Sequence, residues 1–124
     1  MKLTIIGSMA FYEKFKEIKQ SLEKQGHQIV IPLPDEFYKE KGKIKRDSME
    51  DYNKEIENSD AILVANYEKH NIKNYIGTNS IMEVGMAFNR KKKIFILNKI
   101  PDNCKEEFTA IGVIELNGNL KKIK

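Results

Sequence analysis

The run Ala61-Ile62-Leu63-Val64-Ala65 is the most apolar stretch of this 124-residue chain. A short apolar run without polar alternation is typical of a strand covered on both faces, as in the middle of a parallel sheet. We therefore predict that residues 61–65 form a central parallel strand, and we interpret the rest of the chain outward from it.

Strand-like and helix-like patterns alternate on both sides of this run. Further strands are predicted for the apolar runs 3–6, 27–31, 93–97 and, at the sheet edge, 113–116. Helices are predicted from residue 11 until Gly26 stops the pattern, and over 48–58, 80–90 and 106–111. Residues 35–47 are charged and lack periodicity, which indicates a mobile loop or an irregular helix.

This order requires crossover connections, which place helices on both faces of a mainly parallel sheet. We thus expect an α/β fold of the flavodoxin-like or Rossmann-like, doubly wound type with about five strands. The length suits one domain rather than two, so residues 1–124 are treated as a single domain.

Composition narrows the classes of function. Lys and Arg number 22 against 18 Asp and Glu, a net charge of only +4. The basic residues carry no interleaved aromatics, so a nucleic-acid-binding surface is not favoured, and an anionic small molecule fits at least as well. One cysteine, Cys104, excludes an internal disulfide, and two distant histidines do not suggest zinc.

No apolar run is long enough for a signal peptide or for a membrane span of about 20 residues. We expect a cytoplasmic protein that has no membrane contact and needs no metal or organic cofactor.

Ligands of doubly wound sheets bind beyond the carboxyl ends of the strands, at the point where the strand order reverses. Three loops meet that description in this chain: 7–10, 66–79 and 98–104. In the third loop, the side-chain amide of Asn98 is a candidate ligand contact, from this chain or from a neighbouring subunit.

The first loop, Gly7-Ser8-Met9-Ala10, joins the first strand to the first helix. Gly7 would let a ligand approach the backbone, and the free amides and the Ser8 hydroxyl group would attract an anion. Taken alone, the loop is better explained as a tight turn in which Ser8 caps the helix.

The second loop ends in Gly77-Thr78, and the helix after it carries Glu83 near its start. Ser80 and Glu83 have the spacing of a capping box, in which Glu83 would accept a hydrogen bond from the Ser80 amide. A carboxylate at this edge of the sheet is also a candidate catalyst, and chemistry alone leaves both roles open.

Three motifs together resemble the nucleoside 2-deoxyribosyltransferase superfamily, which includes the deoxynucleoside 5′-monophosphate N-glycosidases. They are Gly7-Ser8, Ser59-Asp60-Ala61-Ile62-Leu63-Val64-Ala65 and Glu83-Val84-Gly85-Met86-Ala87, and the resemblance extends over residues 2–97. It implies a small flavodoxin-like sheet assembled as dimers or larger oligomers. It also implies that Glu83 is the nucleophile and that the Gly7-Ser8 loop holds a 5′-phosphate.

The implied reaction agrees with the chemistry of the bond. Breaking an N-glycosidic bond builds positive charge at the anomeric carbon, which a carboxylate can stabilise and trap covalently, as in retaining glycosidases. Water then releases the sugar in the hydrolases, whereas a second base accepts it in the transferases.

Two positions depart from the superfamily pattern. Gly77 stands where relatives often carry Asp or Ser against the sugar or phosphate, so Thr78 and Ser80 are candidates to replace that contact. Tyr52 stands at the spacing expected for an Asp on the second helix, and Asp51 is the acidic residue next to it.

We expect an enzyme that cleaves the N-glycosidic bond of a (deoxy)nucleoside or nucleoside 5′-monophosphate, or transfers the sugar to another base, with Glu83 as the nucleophile. We expect it to assemble as a homodimer. The alternative is a non-catalytic nucleotide-binding module of the same fold. A phosphorelay receiver is not favoured, because Asn66 rather than an acidic residue follows the third strand. A flavodoxin is not favoured either, because Ser8 is the one hydroxyl residue in the first loop.

Overall fold

The computed structural model describes residues 1–124 and contains one sheet of five strands in the order β2-β1-β3-β4-β5. The strands are β1 (Lys2–Ile6), β2 (Gln28–Val30), β3 (Ala61–Val64), β4 (Lys93–Ile96) and β5 (Ile114–Glu115). Every neighbouring pair is parallel, and the predicted central strand lies between β1 and β4.

Five helices cover this sheet: α1 (Tyr12–Lys24), α2 (Asp35–Glu40), α3 (Lys45–Glu57), α4 (Thr78–Asn89) and α5 (Lys105–Ala110). Short 3-10 turns precede α1 and α5 at Met9–Phe11 and Asp102–Cys104, and a third lies at Leu120–Lys122. None of the helices combines the length and the apolar character that crossing a bilayer requires.

The two faces of the sheet bury separate apolar clusters, because successive strand residues point to opposite sides. Leu63 of β3 belongs to the cluster that includes the buried stripe of α1, whereas Ile62 and Val64 belong to the cluster with α3, α4 and α5. Helices therefore lie on both faces, and the predicted doubly wound α/β fold is confirmed.

The strand order reverses between β1 and β3. The chain moves from β1 outward to β2 through α1, and then returns past β1 to continue through β3, β4 and β5. Loops that leave the carboxyl ends of β1 and β3 consequently diverge to opposite faces and leave a crevice between them.

The segment 35–47 differs from the sequence expectation. It contains the regular helix α2 and the first turn of α3, which begins at Lys45 rather than at Ser48. The Asp47 carboxylate accepts a hydrogen bond from the Ile44 amide over 2.9 Å and so fixes this earlier start. The helix α2 has no buried residue, so no apolar stripe marked it in the sequence.

The start of α4 is also earlier than predicted. The helix begins at Thr78 after the N-cap residue Gly77, and Ser80 is a buried residue within its first turn. Ser80 is therefore not an N-cap, and the predicted capping box between Ser80 and Glu83 is not formed.

Candidate active site

A cleft of about 390 Å³ opens at the carboxyl ends of β1 and β3, at the reversal of strand order. This volume lies in the range of small-molecule binding sites. The walls come from the turn after β1, from α2 and the residues before it, from α3, from the β3–α4 connection and from the start of α4. The lining residues are Gly7, Ser8, Met9, Ala10, Pro32, Leu33, Asp35, Tyr38, Lys45, Ser48, Met49, Tyr52, Lys69, Tyr75, Gly77, Thr78, Asn79, Ser80 and Glu83.

The structure brings most of the sequence-predicted site residues to this cleft. These are Gly7, Ser8, Met9, Gly77, Thr78, Ser80 and Glu83. Residues about 75 positions apart along the chain meet here because β1 and β3 are neighbouring parallel strands.

Asp51 and Asn98, which the sequence also indicated as candidate site residues, are not among the residues that line this cleft. The Asp51 carboxylate is half-exposed and lies 3.5 Å from the Lys43 ammonium group. The side-chain amide of Asn98 donates to the Asn66 carbonyl over 3.1 Å, so it is used within the fold.

Asn66, two residues after the end of β3, is the fully buried partner of Asn98. Its Oδ1 accepts from the Asn98 backbone amide over 2.9 Å, and its Nδ2 donates to the Lys99 carbonyl over 2.9 Å. These bonds tie the loop after β3 to the loop after β4. A buried amide with all its partners in the protein is a structural residue.

The Glu83 side chain extends from the second turn of α4 into the cleft. Burial of its carboxyl group raises the pKa of Glu83 from 4.5 to about 7, and the Lys45 ammonium group partly opposes this rise. Because the capping box is absent, the sequence alternative in which Glu83 serves only as a cap has no support in the structure.

Tyr52 of α3 lines the cleft together with this carboxyl group. Its hydroxyl group donates a hydrogen bond to the Ile5 carbonyl in β1. Burial, followed by the negative charges of Glu83 and Glu55, raises the pKa of Tyr52 well above 10. The phenol is therefore a neutral donor at physiological pH.

Gly7 is required by packing at the end of β1. A Cβ atom at this position would lie 2.9 Å from the Ala65 carbonyl oxygen and 3.0 Å from the Phe15 ring. The two chain segments thus approach each other more closely than any side chain permits.

Ser8 caps the 3-10 turn that follows Gly7. Its hydroxyl oxygen accepts from the Ala10 amide over 3.3 Å, as the N-cap interpretation of this residue expects. The Lys69 ammonium group donates to the same oxygen over 2.6 Å. The β1 turn is therefore bonded to the connection that follows β3.

That connection, which the sequence indicated only as a long polar loop, contains a tight hairpin. Lys69 and Ile72 exchange both backbone hydrogen bonds, at 3.1 and 2.9 Å. Between them, His70 and Asn71 have φ values of 54° and 59°, the left-handed conformation of a two-residue type I′ turn.

Aromatic contacts hold this hairpin on the body of the protein. The Tyr67 ring packs edge-on against Phe11 with 5.3 Å between centroids. The Tyr75 amide donates to the Tyr67 carbonyl over 2.9 Å and closes the base of the loop. The cleft wall that carries Lys69 is thus ordered by its own contacts.

Sequence reasoning missed the cleft residues of α2, of the first turn of α3 and of the hairpin. Those that carry charge or a hydroxyl group are Asp35, Tyr38, Lys45, Ser48, Lys69 and Tyr75. The available signal was weak, because α2 has no apolar stripe and because His70-Asn71 is not a common type I′ pair. No group of three or more His, Cys, Asp or Glu side chains is placed to hold a metal ion.

The fold and the cleft define a doubly wound α/β protein with an open cleft at the β1–β3 switch point. Among solved structures, the chain is similar to the Clostridium botulinum CMP N-glycosidase BcmB, with a TM-score of 0.66 and 15% sequence identity. The similarity covers 98% of this chain and 92% of the other, and at this identity it shows a common fold. No protein-family model matches the sequence, and no curated protein matches it.

Proposed function

We propose that this protein cleaves the N-glycosidic bond of a nucleoside or of a nucleoside 5′-monophosphate, with Glu83 as the nucleophile. The observation that carries this proposal is the half-buried Glu83 carboxyl group in the same cleft as the Gly7-Ser8 turn. The sequence resemblance to the 2-deoxyribosyltransferase superfamily and the fold similarity to a CMP N-glycosidase support the substrate class.

In the proposed reaction, an oxygen of the Glu83 carboxylate bonds to the anomeric carbon while the bond from that carbon to the base nitrogen breaks. The bonding electrons leave with the base, which takes a proton from water. A second water molecule then attacks the anomeric carbon and gives its proton to the hydroxide that the first water left, which frees the sugar and restores the carboxylate. In a transferase, a different base takes the place of this water.

The direct test is to incubate the protein with a panel of ribonucleosides, 2′-deoxynucleosides and their 5′-monophosphates and to measure free base by chromatography. Time-dependent release of one or more bases supports the proposal. Addition of a second free base separates the two outcomes, because only a transferase yields the exchanged nucleoside. Absence of free base with every compound contradicts the enzymatic proposal.

The second candidate function is nucleotide binding without turnover. The observation that favours it is Tyr52, a neutral phenol beside Glu83 at the position where the superfamily resemblance implies a carboxylate. Nucleotide binding measured by calorimetry, without release of the base from that nucleotide, would support this second function.

We also propose that the protein acts as a homodimer through α4. This helix exposes Ile81, Met82 and Phe88, which are 39%, 47% and 53% accessible, around the exposed Gly85. A contiguous apolar strip on one helix face is typical of a protein interface.

A further inference from the structure

The cleft has an apolar wall on the side of β2. Pro32 and Leu33 follow β2 and line the cleft, and Met49 of α3 lines it as well. The Leu33 side chain is 42% exposed and belongs to neither apolar cluster of the core. Apolar surface in a small-molecule cleft is suited to the face of a flat nucleobase.

The sheet order separates this wall from the end of the cleft that is rich in hydrogen-bond donors. Because β2 and β3 lie on opposite sides of β1, the residues after β2 and the connection after β3 reach the cleft from opposite sides. The connection after β3 carries Lys69, whose ammonium group donates to the Ser8 hydroxyl oxygen over 2.6 Å. A nucleoside with its anomeric carbon at Glu83 would direct its polar 5′ end to these donors and its base to the apolar wall.

Asp35 places an acidic group beside this wall. It is the first residue of α2, and its exposed side chain lines the cleft. Asp35 takes part in none of the ion pairs of the protein. By contrast, the Asp47 carboxylate accepts from the Ile44 amide, and the Asp60 carboxylate accepts from the Lys2 amide. The two carboxylate oxygens of Asp35 are therefore available to donors of a ligand.

A carboxylate discriminates between nucleobases by the donors that each base presents. An ionised carboxylate only accepts hydrogen bonds, and two adjacent N–H groups satisfy both of its oxygens at once. Guanine presents such a pair, its N1–H and its 2-amino group. Hypoxanthine keeps only the N1–H, and cytosine and adenine place a ring acceptor beside their amino group, which the second oxygen repels.

We propose that Asp35 binds the N1–H and the 2-amino group of guanine, and that this contact makes guanine the preferred base of the protein. This inference rests on the proposed N-glycosidase function and narrows its substrate class. It assigns the two walls of the cleft to two parts of one ligand: the apolar wall contacts the face of the base, and Asp35 contacts its edge.

The test compares the wild type with Asp35→Asn on the nucleosides and 5′-monophosphates of guanine, hypoxanthine, xanthine and cytosine. An Asn side chain offers one acceptor and one donor, which match the N1–H and the 2-carbonyl group of xanthine. Glu36→Gln is the matched control, because Glu36 is the next acidic residue of α2 and does not line the cleft. Melting temperatures verify that each variant is folded, and Asp35→Ala is the second variant if Asp35→Asn does not fold.

The expected result is a guanine preference that Asp35→Asn transfers toward xanthine. In the wild type, kcat/KM for guanine release should exceed that for hypoxanthine about 20-fold, the scale of one bidentate base contact. The ratio of guanine to xanthine kcat/KM should fall at least about 100-fold in Asp35→Asn and stay unchanged in Glu36→Gln. A wild type that releases hypoxanthine or cytosine as fast as guanine, or an unchanged ratio in Asp35→Asn, overturns the inference and leaves the N-glycosidase proposal intact.

Calorimetric titration with the same compounds separates the two proposals if no base is released. Binding of the guanine compound that is at least about tenfold tighter than binding of the hypoxanthine compound, and that weakens in Asp35→Asn, supports the base site and contradicts the glycosidase. Equal binding of the two compounds, or no binding of either, overturns the base site.

Discussion

The hydroxyl group of Tyr52 donates a hydrogen bond to the Ile5 carbonyl and so joins α3 to β1 at the edge of the sheet where the cleft opens. Burial and the neighbouring charge of Glu83 keep the pKa of Tyr52 well above 10. The phenol therefore stays neutral over the whole pH range in which Glu83 titrates. Changes of charge in this part of the cleft consequently come from Glu83.

The first prediction concerns Glu83→Gln, which we expect to reduce base release at least about 1,000-fold. A neutral amide neither attacks the anomeric carbon nor balances its positive charge. The measurement is the rate of base release by chromatography. Glu57→Gln is the control, because Glu57 is exposed at the end of α3 and lies outside the cleft. Turnover within a few-fold of wild type in a folded Glu83→Gln protein would remove the nucleophile assignment.

The second prediction is that Glu83→Gln also stabilises the protein at pH 8. The folded-state pKa of Glu83 is raised from 4.5 to about 7, so the folded state holds a proton that the unfolded state has lost between these values. Stability therefore falls as pH rises through this range, and the cost is fully present above pH 7. Removing the titrating group should increase the unfolding free energy at pH 8 by roughly 1 to 3 kcal/mol.

Urea denaturation at pH 4 and at pH 8 measures this effect. The difference between Glu83→Gln and wild type should be small at pH 4, where the wild-type carboxyl group is protonated in both states. Equal differences at the two pH values would show that the carboxyl group is not buried as described.

The third prediction is a pH dependence of the reaction. A nucleophilic Glu83 must be ionised, and its pKa is raised to about 7, so kcat/KM should rise with pH and level off above that value. Lys45 lowers the pKa of Glu83, so Lys45→Met should move the rise to higher pH by a few tenths of a unit. A profile that is flat between pH 5 and 9 would contradict the assignment.

The fourth prediction concerns Tyr52→Phe, which leaves the Ile5 carbonyl without its donor. Loss of one such bond at a buried site costs about 1 to 2 kcal/mol of unfolding free energy. Thermal or urea denaturation measures the change. Tyr12→Phe on α1 is the control, because that side chain lies outside the cleft and should change stability little. Equal stability of Tyr52→Phe and wild type would mean that this bond does not stabilise the fold.

The fifth prediction is that Phe88→Glu produces a monomer. A charge within the proposed α4 interface would be buried against apolar groups of the partner. Light scattering at high micromolar concentration should give a dimer for the wild type and a monomer for the variant. Ile114→Glu is the control, since Ile114 is also an exposed apolar residue but lies on β5 rather than α4. A monomeric wild type would contradict the dimer.

Much of the fold could be predicted because buried strand and helix faces require apolar residues at characteristic spacings in the sequence. Both faces of β3 are covered, which requires an unbroken apolar run, and the stripe Phe15, Ile18 and Leu22 is buried as its spacing predicts. Helix starts were less accurate. The predicted starts at Ser48 and Ser80 both lie inside the helices, because α3 begins after the N-cap residue Ile44 and α4 begins after the N-cap residue Gly77.

The part of the candidate site that depends on the strand order was predictable. The part that depends on contacts between loops was not. Because β1 and β3 are parallel neighbours, their carboxyl ends lie side by side. The topology alone therefore places Ser8 and Glu83 in one cleft. The bonds of Asn98 to Asn66 and of Lys69 to Ser8 depend on how two loops fold against each other. Neither pairing leaves a periodic or spacing signal in the sequence.

The close approach of Gly7 to Ala65 has a consequence for how this protein can diversify. Backbone meets backbone at that point, with no side chain between them to be exchanged for a larger or smaller one. A side chain at position 7 would separate the starts of the two loops that carry Ser8 and Lys69. The positions of both cleft walls would then change at the same time. New substrate preferences are therefore expected to arise at the loop tips and on α2, while the junction beneath them stays the same.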